Sequence, residues 1–103
     1  MLCRMRNMKA TKTDCPITSA VELLSDSWTM FIMRALTEGP KRFTELERWL
    51  EEISTRTLTL KLKDLQAKGL VARSKDGIYS ATEKGRGLKI IEQAMLRYSK
   101  KFL

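Results

Sequence analysis

A mainly α-helical single domain carrying one small β-hairpin is the fold class this sequence predicts, and three observations carry the prediction. Apolar residues recur at helical spacing along most of the chain, in runs closed by capping residues. Residues 70–81 alone break that rhythm, around an Asp76-Gly77 pair that signals a hairpin. The length of 103 residues, 43% of them hydrophobic, suits one compact core and excludes disorder as the default.

The elements follow in order. Pro16 suits the first position of a helix, with Cys15 as its N-cap, and Ile17, Val21 and Leu24 fall on one face. Ser25 to Ser27 end that helix and offer caps for the next, whose apolar face is Trp28, Phe31, Ile32, Ala35 and Leu36, closed by Gly39-Pro40. Lys41-Arg42-Phe43 suits a short extended segment. Thr44 opens a third helix, with Glu47 completing a capping box and Leu46, Trp49 and Leu50 as its core residues. Ser54 caps a fourth, Ile53 and Leu58 are spaced for a hydrophobic staple, and the helix runs to about Lys68 before Gly69 stops it. Leu70–Lys75 and Ile78–Ala81 read as two strands joined by a two-residue type I′ turn at Asp76-Gly77, which requires positive φ at both positions. From Thr82 the chain reads as helix to its end.

Helix-turn-helix followed directly by a hairpin is the winged-helix order. Residues 1–13 form a basic arm, 14–87 the winged helix-turn-helix unit and 88–103 a C-terminal helix within the same domain. On that last helix Leu88, Ile91, Met95, Tyr98 and Phe102 recur at alternating spacings of 3 and 4. Such regularity is what a helix–helix seam requires. Residues 88 and 91 are expected to pack in part on their own domain, and the outer three to meet a second subunit, so the terminal helices are read as a homodimer interface.

The residues that are missing exclude whole classes of chemistry. There is no histidine, which removes Ser-His-Asp and Cys-His nucleophile pairs and the zinc proteases built on HExxH. Cys3 and Cys15 cannot complete a four-ligand zinc site, and no glycine motif able to cradle a phosphate is present. Neither an enzyme nor a cofactor is expected. No apolar run approaches the ~18 residues of a membrane span, and the opening MLCRMRNMK leads into no apolar segment of a secretory signal. The chain reads as cytoplasmic, with no membrane partner.

Charge is the positive signal. The formal net charge is +8, from 20 basic and 12 acidic residues, and it is unevenly placed. Residues 54–75, the fourth helix and first strand, hold six basic residues against Asp64 alone, whereas residues 14–53 hold eight acids against four bases. A basic block at this place in the fold is the footprint of a polyanion partner, here double-stranded DNA. On the fourth helix Leu58, Leu62 and Leu65 define the inner stripe, which leaves Arg56, Leu60 and Lys63 facing out with Ser54, Thr55 and Thr59 at or near its start. Arg56 suits a guanine edge, and Leu60 or the Thr59 methyl a thymine methyl, although Leu60 reads equally as a stray surface residue. Lys63, Lys41, Arg42, Arg73 and Lys75 are assigned to phosphates.

An ordered set of residues resembles one known family. Cys15-Pro16, Leu23, Leu24 and Trp28 are followed by Gly39-Pro40, Arg42-Phe43, Glu45-Leu46 and Ile53-Ser54, then by Arg56, Leu58, Leu62, Leu65, Gly69-Leu70, Tyr79, Thr82, Glu83 and Gly85. In this order they resemble the HxlR-type winged-helix transcription regulators, relatives of the MarR group. The resemblance implies a dimer through the terminal helices, a pseudo-palindromic DNA site and, as in several members, an oxidant- or electrophile-sensing role for Cys15. A helix N-terminus favours the Cys15 thiolate, Asp14 opposes it, and an inert buried thiol is the competing reading. Three departures stand out. Asp26-Ser27 replaces a glycine and a basic residue before the Trp, Glu52 replaces a glycine before Ile-Ser, and the wing is short. These leave a second class open, a winged-helix module that binds protein or RNA without a specific operator. The effector, if any, is unknown from the sequence.

Overall fold

The computed structural model describes residues 16–103. Helix α1 (Pro16–Leu24) leads into α2 (Ser27–Glu38), strand β1 (Lys41–Arg42), and helices α3 (Phe43–Leu50) and α4 (Thr55–Ala67). Strands β2 (Val71–Arg73) and β3 (Ile78–Ala81) follow, then a short α5 (Glu83–Arg86) and α6 (Lys89–Phe102). This is the winged helix-turn-helix order that the periodicity predicts. The basic arm and Cys15, with its expected capping role, lie outside the described residues. No helix among the described residues is long and apolar enough to cross a membrane.

Helix α2 sits at the centre because α1, α3, α4, α5, α6 and β3 all pack on it. A helix surrounded in this way buries more than a single stripe. Ile32, Met33, Ala35 and Leu36 are buried, with Thr29 beside them. Met33 takes the inward place that the sequence pattern assigns to Phe31, which is half exposed and meets Trp28 edge-on at 6.0 Å. Around α2 the core is completed by Leu46, Ile53, Leu58, Leu62, Leu65, Leu70, Val71, Ala81 and Leu88.

Local chemistry fixes both ends of α4. The Ser54 hydroxyl accepts from the Thr57 N–H at 3.0 Å, and Ile53 and Leu58 on either side of the cap are both buried. At the other end Gly69 adopts φ +77°, the Gly69 N–H donates to Gln66 O and the Leu70 N–H donates to Leu65 O. That pair of bonds is a Schellman motif, and the burial of Leu65 and Leu70 supplies its apolar contact.

Four expectations are corrected. Helix α3 begins at Phe43, not after a Thr44 cap. Glu45 accepts from the Arg42 N–H at 2.7 Å, and Glu47 is free to reach Thr55. Trp49, on the flank of the Phe43–Leu46–Leu50 stripe, is 37% exposed and lies outside the core. The hairpin does not turn on two residues of positive φ. Ser74 bonds Ile78 across a three-residue loop, Lys75 to Gly77, in which only Gly77 has positive φ (+81°). This is a type I turn closed by a left-handed glycine. The extended segment at 41–42 becomes an edge strand pairing with β3, giving a sheet in the order β1-β3-β2, with Lys41 opposite Tyr79 and Arg73 opposite Tyr79 on the other side.

The fourth correction concerns the last helix. It is broken after Arg86, and the short α5 before the break makes a close approach to Leu70. Thr82 accepts from the Gly85 N–H and donates to Gly69 O, seating α5 so tightly that a Cβ at Gly85 would stand 2.2 Å from Leu70 O. Only glycine fits there. The chain then turns at Gly87 and releases α6. Leu88 is 7% exposed and belongs to the core, so it is withdrawn from the dimer seam, while Ile91 is half-buried against that core.

Candidate nucleic-acid interface

The helix-turn-helix is α3, the segment 51–54, and α4. Its turn is unusually tight. Glu51 has φ 58° and ψ −62°, and the Glu52 N–H donates to Leu50 O at 2.6 Å, a γ-turn of the rarer positive-φ kind. Thr55 donates to the Glu47 carboxylate at 2.6 Å, which ties the start of α4 back to α3. Thr59 donates to Thr55 O one turn below. All three small polar residues assigned to DNA, Ser54, Thr55 and Thr59, therefore carry structural bonds here, while Thr55 stays exposed and Thr59 half-buried.

The basic residues of α4 divide into two groups. Lys61 pairs with Asp26, and Lys68 at the C-cap pairs with Asp64 at 2.9 Å. Arg56 and Lys63 have no ion pair or hydrogen bond among the described residues, and both are exposed. Leu60 stands between them at 54% exposure, opposite the fully buried Leu58, Leu62 and Leu65. The outer face is therefore two uncompensated cations flanking one aliphatic side chain, on a helix held at both ends. A fork-shaped donor and an apolar contact are what base edges in a major groove require. The Asp26 carboxyl is held below its ordinary value, chiefly by the hydrogen bond from Lys61 and further by the Trp28 N–H.

The hairpin supplies the second part of the surface. Arg42 donates through Nη1 to Asp76 O at 2.9 Å, bracing the wing tip against the edge strand. Arg73 lies over the Tyr79 ring at 5.9 Å, and Lys75 is exposed in the loop. Lys41 departs from its assignment to phosphates. Its side chain is only 15% exposed and its ammonium donates to Ala35 O at 2.8 Å, closing the C-terminus of α2. Helix ends attract cations for this reason. The lysine's distance in sequence from Ala35 is short, but its direction depends on the turn at Gly39, and no periodicity reports that. Lys61, the partner of Asp26, is likewise invisible to any local pattern, because the two lie 35 residues apart.

Away from this surface, apolar side chains remain uncovered at the two ends of the described chain. On α1, Ile17 and Val21 are exposed; on α6, Ile90, Met95, Leu96, Tyr98 and Phe102 are exposed, with the Tyr98 and Phe102 rings 5.0 Å apart. No group of metal-ligating side chains is found among the described residues.

The fold and this surface define a class, the winged-helix DNA-binding transcriptional regulators. Comparison with known proteins narrows it. The chain belongs to the HxlR-like helix-turn-helix family, whose model matches residues 23–103. It is 35% identical over 97 residues to the HTH-type transcriptional regulator YodB of Bacillus subtilis (strain 168), covering 87% of each chain. Quinone-bound YodB superposes with a TM-score of 0.80 at 37% identity, over 85% of this chain and 100% of that one. The redox regulator HypR in its oxidized form gives 0.74 at 30% identity, over 86% and 98%. A structure assigned to the MarR family, from Porphyromonas gingivalis W83, gives 0.79 at 25% identity, over 87% and 94%. The chain is a DNA-binding transcriptional regulator of this family.

Proposed function

We propose that the chain acts as a homodimer that reads a pseudo-palindromic duplex through two copies of α4 and changes its DNA binding when Cys15 is oxidised or modified by an electrophile. The observation that carries the DNA reading is the outer face of α4, where Arg56 and Lys63 are unpaired and Leu60 is exposed between them. Arg56, Leu60 and Thr59 read bases, and Lys63, Arg42, Arg73 and Lys75 bind phosphates. Ser54 holds the helix start in place through its cap. The uncovered apolar residues of α1 and of the outer part of α6 support a twofold interface. Ile91 sits at its inner margin, and Met95, Tyr98 and Phe102 lie in it. Twofold symmetry then sets the recognition helices about 34 Å apart, one turn of DNA. The thiol response is supported by the relatives, since HypR is a redox regulator and YodB has been solved in quinone-bound, reduced and diamide-treated forms.

Fluorescence anisotropy with DNA from upstream of the protein's own gene, in excess competitor DNA, tests this reading on reduced and diamide-treated protein. Preferential binding that shifts on oxidation, and loses the shift in Cys15→Ser, is the expected result. Preferential binding indifferent to diamide returns Cys15 to a structural role. Equal affinity for every sequence, with no salt dependence, supports the interaction-module class instead. A monomeric mass at low micromolar concentration overturns the dimer.

A further inference from the structure

We propose that Asp26 and Lys61 act as a positioning pair that fixes the rotation of α4 about its own axis, and through it the alignment of Arg56 and Leu60 with base edges. The inference rests on the DNA-reading role of α4. The two carboxylate oxygens of Asp26 do separate work. One accepts from the Trp28 N–H at 3.0 Å and caps α2; the other takes the Lys61 ammonium. The Asp26 carbonyl also accepts from the N–H of Thr29, a residue that is 2% exposed. Asp26 is thus anchored in the first turn of the central helix.

Lys61 is not placed to touch DNA. At 100° per residue it lies about 130° around α4 from the outward direction of Arg56, Leu60 and Lys63, on the flank of the buried stripe. The side chains of the pair are 31% and 33% exposed, so the contact is partly shielded from solvent. Among the described residues only two side-chain bonds tie α4 to the helices before it, Thr55 to Glu47 at the N-terminus and Lys61 to Asp26 midway along. The inner stripe consists of Leu58, Leu62 and Leu65, and aliphatic packing is non-directional, so it resists separation better than it resists a small roll. The ion pair supplies a directional restraint midway along the helix, beyond the reach of the Thr55–Glu47 bond at its start. A roll of α4 misaligns a bidentate base contact, whereas phosphate contacts by flexible cations tolerate it.

The test uses the full chain and two duplexes, one selected from a random pool by the wild-type protein and a scrambled duplex of the same composition. Affinities of wild type, Asp26→Asn, Lys61→Met, the double variant and Lys61→Arg are measured across a salt series. Asparagine still accepts from the Trp28 N–H, so Asp26→Asn removes the pair and keeps the cap. Each pair-breaking variant is expected to lower the selected-to-scrambled ratio about two- to fivefold, the range a partly exposed pair can supply. The double variant should fall no further, Lys61→Arg should keep the wild-type ratio, and scrambled-duplex affinity and salt slope should not move. A Lys61→Met that weakens both duplexes and lowers the salt slope by about 1 makes Lys61 a phosphate contact and overturns the proposal. Unchanged ratios, or additive losses in the double variant, overturn it as well. A wild type that prefers no sequence overturns the operator reading and this inference together; a discriminating wild type with indifferent variants overturns this inference alone.

Discussion

Helices α4 and α6 are nearly equal in length and both carry a regular apolar seam, yet they end in opposite conditions. Helix α4 buries its entire stripe of Leu58, Leu62 and Leu65, is capped by Ser54 and closed by the Gly69 motif. Its outer face is left polar and cationic around Leu60. Helix α6 uses its apolar residues only at the start, where Leu88 before it and Ile91 in its first turn reach the core; Met95, Tyr98 and Phe102 lie uncovered beyond. One helix is finished within a single subunit and leaves its outer face free for the proposed contact with DNA. The other is unfinished, and its exposed surface is what the proposed second copy covers.

That contrast is breakable by mutation. The largest effect is expected at Leu62→Ala, which empties a fully packed site and should cost about 2–5 kcal/mol in denaturant unfolding. Tyr98→Ala in the same assay, at concentrations low enough to dissociate a dimer, should change little. Equal losses at both positions would mean that α6 is also completed within the subunit.

Next come the outward cations of α4. Arg56→Ala should cost about 1–3 kcal/mol on the preferred duplex and relax selectivity at one base position. Lys63→Ala should weaken binding evenly across sequences and lower the salt slope by about 1. A uniform loss from Arg56→Ala would move that residue to the phosphates.

A smaller gain is expected at the turn leading into α4. Glu51 is exposed and held at positive φ, so Glu51→Gly should raise unfolding stability by about 0.5–1 kcal/mol, read as a higher denaturant midpoint with unchanged slope. A fall instead would show that the Glu51 side chain contributes to the turn. The smallest effect concerns pH. The Asp26 carboxyl is lowered from 3.8 in the folded state, so its stabilisation is present above that value and is lost as pH falls through the lower folded value. Asp26→Asn should therefore lower stability slightly near neutrality and flatten the acid limb, so that the two profiles converge at low pH. An identical acid limb in both proteins would show that the pair adds nothing to folding.

Much of α4 was legible because its determinants are local. A serine cap, three leucines on one face and a glycine at the end are all set within the helix's own turns. The hairpin was half legible. Asp76-Gly77 marked the reversal, but the loop length depended on Ser74 meeting Ile78, and the third strand on Arg42 meeting that residue from the other side. Lys41 shows the limit most plainly. Its place in a basic run suggested a phosphate contact, and its direction after the Gly39 turn made it the cap of α2.

By itself the sequence determined the element order, the inner and outer faces of α4, and the absence of histidine chemistry, since each is a property of composition or of one helix's periodicity. The tertiary structure alone decided which cations are already paired, which half of the final apolar seam is already buried, and that Met33 and not Phe31 faces the core. These depend on which elements meet, and the partners lie far apart along the chain, as Asp26 and Lys61 do. Local periodicity says which way a side chain points from its own helix, and only packing says what it finds there.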